Sequence, residues 1–107
     1  MLYKFKSRAT SDLIMLEPHA RRLLDIMDKE PGPTGIILAS QMADAIAVLE
    51  AAVRDEEYRY KLALEAAQAQ GEPAPPKPEV SLRQRSAPML EMLRRAKAAG
   101  YDIVWGV

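Results

Sequence analysis

"YDIVWGV", residues Tyr101–Val107, closes the chain and decides how the fold is read. Ile103, Trp105 and Val107 alternate with Asp102, Val104 and Gly106, which is the two-residue period of a β-strand. The only tryptophan shares a side with Ile103, so the segment reads as a closing strand that buries Trp105, launched from Gly100 as the cap of the helix before it. A strand needs neighbours, and the best candidates lie at the opposite end of the chain.

"LYKFK", Leu2–Lys6, sets Tyr3 and Phe5 on one side and Lys4 and Lys6 on the other, as a half-buried strand requires. After the polar stretch Ser7–Ser11, "DLIML", Asp12–Leu16, supplies a second short apolar run. The pair predicts a β-hairpin with a loop of about five residues, and the closing strand is expected to pair with the first. "GIIL", residues 35–38, is too short to assign to the sheet and is expected to be an extended plug into the core.

Three helices follow from the rest. Pro18 suits the first position of a helix, and Leu23, Leu24 and Met27 recur at helical spacing until "EPGPTG", residues 30–35, ends the element. The longest helix is expected from Ser40, as N-cap, to about Gln70, with Met42, Ile46, Leu49 and Val53 forming an apolar stripe that fades toward Tyr60. Some 30 residues extend about 45 Å at 1.5 Å each, against a diameter of roughly 34 Å for a compact domain of this size. The helix should therefore overhang its own domain. "GEPAPPKPE", residues 71–79, reads as a stiff proline-rich linker between helices. Ser81 and Gln84 form a capping box for the third helix, Pro88 should kink or restart it, and Gly100 ends it. The expected fold is a single α+β domain over residues 1–107: a small three-stranded sheet near residues 2–6, 12–16 and 102–107, covered on one face by three helices, one of them long.

The same residues exclude several classes of function. No cysteine is present, which removes thiolate metal sites, iron–sulfur clusters and cysteine nucleophiles. His19 is the sole histidine, so no two-histidine metal site exists within one chain. Neither a P-loop nor a dinucleotide fingerprint occurs, and no cofactor is expected. Asp55, Glu56 and Glu57 are consecutive, so on a helix they point apart and read as a solvated face. No apolar run approaches the roughly 20 residues of a bilayer span, and the N-terminus lacks the apolar core of a secretory signal, so no membrane partner is expected.

With 15 basic and 15 acidic residues the net charge is zero, and with few aromatic side chains to stack bases nothing draws the chain to nucleic acid. The signs are nevertheless segregated. Residues 1–24 carry a net of plus three, 25–72 minus six and 80–100 plus four. That succession suits segments lying against one another. Met42, Met89 and Met92 fall on apolar helix faces and read as core.

"MLYKFKSRAT", "IMLEP", "PGPTGII" and "MLRRAKAAGYDIVWGV" together resemble the small family catalogued as domain of unknown function 1840. The resemblance spans the chain apart from the proline linker. It implies a bacterial, cytoplasmic origin and brings no activity, cofactor or catalytic residue.

The resulting expectation is a non-enzymatic cytoplasmic interaction or accessory protein acting as a homo-oligomer, or with a protein partner, through the overhanging helix. Tyr58, Tyr60 and Leu64 are the expected interface residues. The alternative is a small-ligand sensor that binds an anionic metabolite at the start of the first helix, where His19, Arg21 and Arg22 combine basic side chains with free backbone N–H groups.

Overall fold

The computed structural model describes residues 1–106, and Val107, expected at the end of the closing strand, lies outside the described residues. In chain order the elements are β1 (Leu2–Lys6), β2 (Leu13–Leu16), α1 (Glu17–Ile26), β3 (Gly35–Ile37), a 3₁₀ turn (Ala39–Gln41), α2 (Met42–Ala69), α3 (Leu82–Ala99) and β4 (Ile103–Trp105). The class is α+β, as the patterning predicts, with three helices and an antiparallel sheet.

The sheet has four strands rather than three, in the order β2-β1-β4-β3. The extra strand is the segment expected to be a plug. Gly35, Ile36 and Ile37 pair with Trp105, Val104 and Ile103, and only Ile37 is fully buried. Three residues are too few for alternation to identify a strand; pairing with β4 supplies what local pattern lacks. On its other side β4 pairs with β1 through Phe5 with Trp105 and Lys6 with Val104, which places the closing strand inside the sheet.

Trp105 is 2% exposed. Its ring lies 5.7 Å from that of Phe5, and its indole N–H donates to the Gly32 carbonyl at 3.1 Å. The Tyr3 hydroxyl donates to the carbonyls of Pro31 and Gly32, so two inward-facing aromatics hold the "PGPTG" loop against the sheet. A buried aromatic with a polar tip needs such an acceptor, and the loop backbone provides it.

α1 and α3 lie against the sheet, while α2 packs along α3 and touches α1. Met42, Leu49, Met89, Leu93, Leu23 and Leu24 fill the space between. α2 begins later than Ser40, because residues 39–41 form the 3₁₀ turn; the Asp102 carboxylate accepts from the Ala39 N–H at 2.7 Å and the Gln41 side chain from that of Leu38 at 3.0 Å. The capping box at α3 forms as expected, with the Gln84 N–H donating to the Ser81 hydroxyl and the Ser81 N–H to the Gln84 side chain, both at 3.1 Å. Gly100 adopts the left-handed conformation that ends α3, with φ of 76°. α3 continues through Pro88 without restarting, since Met89, Leu90, Met92 and Leu93 beyond it are all buried and hold the helix in place.

The molecule measures 52 × 29 × 21 Å, and its radius of gyration is 16.1 Å, against about 13 Å for a compact chain of this length. α2 accounts for the difference: 28 residues extend about 42 Å.

Candidate interaction site

Where a helix protrudes, its far half is either covered by the chain itself or left open, and α2 shows both. The proline linker returns along one side of it. The Tyr60 hydroxyl donates to the Pro75 carbonyl at 3.2 Å, and the Lys77 ammonium stands 5.2 Å from the centre of the Tyr60 ring. Leu64, one turn on, is half-buried and Ala67 is buried. Tyr58 is instead 58% exposed, with Leu62, four residues later, 46% exposed. The three expected interface residues are therefore divided, Tyr60 and Leu64 on the side bearing the linker and Tyr58 outward. Residues two apart on a helix never share a face, which separates Tyr58 from Tyr60.

The outward face of α2 continues in both directions from Tyr58 and Leu62. Ala47, Ala51 and Ala69 share it at helical spacing and are exposed, with Val48 at its margin. Asp55 also lies here, paired with Arg59 at 3.0 Å, and Arg54 and Glu65 flank the stripe.

Asp55, Glu56 and Glu57 point apart as expected, but only Asp55 is confined to the surface of its own helix. One Glu56 oxygen accepts from the Leu82 N–H at 2.9 Å, and the other pairs with Arg22 at 3.0 Å, so this carboxylate ties α1, α2 and the start of α3 together. Glu57 accepts two hydrogen bonds from Arg83, each of 2.8 Å. The Arg83 guanidinium holds the Glu57 carboxyl below its ordinary range and is itself raised. A carboxyl lowered in the folded state contributes stability above its unfolded pKa and loses that contribution as pH falls through the lowered value. Titration of the Glu57 carboxyl by NMR should therefore give a midpoint below that of a free glutamate. Arg83→Gln should return it upward, and an unchanged midpoint would contradict the pairing.

The expected anion site at α1 is occupied by the protein's own carboxylates. Arg21 pairs with Glu17 at 2.9 Å and is held above its ordinary pKa by that hydrogen bond, and Arg22 pairs with Glu56. His19 is half-buried and lies between Glu17 and Arg21 in sequence. Both cations thus serve helix packing or helix ends.

A second open surface lies on the far side of the sheet, away from the helices. Leu2, Ile14, Leu16 and Ile36 are 60%, 53%, 54% and 41% exposed, all at outward positions of their strands. Among the described residues no group of side chains is arranged to hold a metal ion, and no helix is long and apolar enough to cross a membrane.

No curated protein and no solved structure matches the chain. A family model does, over residues 1–105, and that span includes both chain ends quoted above except the last two residues. The protein accordingly belongs to the family described as Domain of unknown function (DUF1840).

Proposed function

We propose that the protein is a non-enzymatic cytoplasmic interaction or accessory protein that acts as a homodimer, joined through the outward face of α2. The observation that carries this reading is the exposed apolar pair Tyr58 and Leu62, with exposed alanines farther along the same face, on a 28-residue helix that stretches the molecule to 52 Å. Small residues let two helices approach closely, and a large aromatic beside a leucine gives them something to bury.

An antiparallel pair suits the stripe. With the two-fold axis near residue 60, Tyr58 of each copy meets Leu62 of the other, and Arg54 of each faces the turn that carries Glu65 of the other. Every contact is made twice. The area available to one helix pair is at the low end for stable interfaces, so association should depend on concentration. Anion sensing at α1 is the weaker reading, because Arg21 and Arg22 already face Glu17 and Glu56.

Sedimentation equilibrium should detect dimer at tens of micromolar. Tyr58→Glu combined with Leu62→Glu should give monomer with an unchanged circular dichroism spectrum, since both side chains are exposed. A wild-type chain that remains monomeric in that range would refute the reading.

A further inference from the structure

The open face of the sheet combines two properties that a solvated face does not need. Its flanks are aliphatic: Leu2 lies opposite Leu16, and Ile36 opposite Val104. Between them runs a row of cations. Lys4 and Lys6 occupy outward positions of β1, with Lys4 opposite Ile14 and Lys6 opposite Val104, and Arg8 follows in the hairpin loop. Among the described residues none of these three makes an ion pair, although six ion pairs occur elsewhere. The nearby Asp102 carboxylate is engaged by the Ala39 N–H.

A cleft of about 550 Å³ is lined by Lys6, Arg8, Tyr101, Asp102 and Val104, two cations against one carboxylate, and a smaller one of about 270 Å³ by Leu2, Lys4, Pro33 and Trp105. The Arg8 guanidinium stands 5.2 Å from the centre of the Tyr101 ring, a cation–π contact that holds it at the mouth of the larger cleft. Four strands spaced by about 4.8 Å present a surface roughly 19 Å wide. A helix about 10 Å across would cover its two central strands and leave the edges as a rim.

We propose that this open face docks an acidic amphipathic helix of a partner protein, with the helix's apolar side on the exposed leucines and isoleucines and its carboxylates on Lys4, Lys6 and Arg8. Charge selects the occupant. A second copy docking by the same face would bring two sets of Lys4 and Lys6 together on a partly apolar surface, where like charges repel strongly. The two clefts along the β4 side of the lysine row accept side chains, which a bilayer surface does not supply. The proposal is independent of pairing through α2, which uses the other side of the molecule's helical layer.

Two synthetic amphipathic helical peptides test it, identical in their leucine face and differing only in glutamate or lysine flanks. Added to the ¹⁵N-labelled full chain at low salt, the glutamate peptide should bind about tenfold or more tightly than the lysine peptide, and the preference should shrink as salt screens it. Amide shifts should map to β1 and β4. Lys4→Glu with Lys6→Glu should reverse the preference while leaving the dimer intact. Equal or absent binding of both peptides, shifts confined to the helices, or a preference that survives the charge reversal would each overturn the proposal. So would binding to phosphatidylserine vesicles in place of the glutamate peptide, which would make this a membrane face, or a change of oligomeric state in the reversed variant, which would make it a self-association face.

Discussion

Trp105→Ala should lower the free energy of unfolding by about 3–5 kcal/mol, the range found when a large buried aromatic is truncated. Folded domains of this size are stable by roughly 5–15 kcal/mol, so the variant would be close to unfolding at the lower end of that range. Three features place Trp105 in this class. It is 2% exposed, its ring packs on Phe5, and its strand is bordered by β1 on one side and β3 on the other. The lost hydrogen bond adds little beyond packing, because the Gly32 carbonyl also accepts from Tyr3. Trp105→Phe keeps an aromatic ring beside Phe5 but removes the donor and the outer ring atoms, and should cost less than Trp105→Ala. Urea unfolding followed by circular dichroism is the appropriate measurement, since the variants remove the only tryptophan. A loss below about 1.5 kcal/mol for Trp105→Ala would mean that the closing strand is not part of the cooperative core.

How much of this arrangement is legible before folding depends on the distance over which each signal acts. Local signals identify their elements well. The alternation in Leu2–Lys6 gives β1 with Tyr3 and Phe5 inward, and the Ser81 and Gln84 pair marks the start of α3 as observed. Gly100 ends that helix where the composition says it should. What escapes is whatever depends on a distant partner. β3 has three residues and acquires its identity from β4, nearly 70 positions away in sequence. Glu56 looks like one of three surface carboxylates until α1 and the start of α3 arrive on either side of it.

The interaction surfaces divide in the same way. The outward direction of Lys4 and Lys6 follows from alternation alone. Their place in an apolar surface does not, because it requires knowing that Ile14 and Val104 lie opposite them and that all the helices sit on the other side. On α2 the overhang is visible from length, whereas the side taken by the linker is decided by Tyr60, whose hydroxyl finds the Pro75 carbonyl. Tyr58 is left outward by default.

Gly35→Ala should destabilise the protein by about 1–3 kcal/mol, the usual cost of overpacking, even though the ordinary effect of the change has the opposite sign. Where the backbone permits it, replacing glycine by alanine stabilises by about 0.4–1 kcal/mol, because the unfolded chain loses conformational freedom. The backbone of Gly35 imposes no bar, as the positive-φ glycines are Gly71, Gly100 and Gly106. The obstacle is Trp105, directly opposite in the β3–β4 register, whose ring covers the glycine. A Cβ at residue 35 would overlap Trp105 Cζ2 and Cη2. These atoms belong to a rigid ring that also packs on Phe5, so it cannot swing aside without disturbing the core. An aromatic laid over a cross-strand glycine is a known way to stabilise such a pair, and here it fixes the register of a three-residue strand. The smaller ring of Trp105→Phe lacks the benzo atoms that meet the added methyl. In that background Gly35→Ala should cost little, giving a double-mutant coupling of about 1–3 kcal/mol between the two sites. If the two substitutions add to within about 0.5 kcal/mol, the contact does not exclude a side chain at residue 35, and β3 must be held to the sheet by its backbone pairing alone.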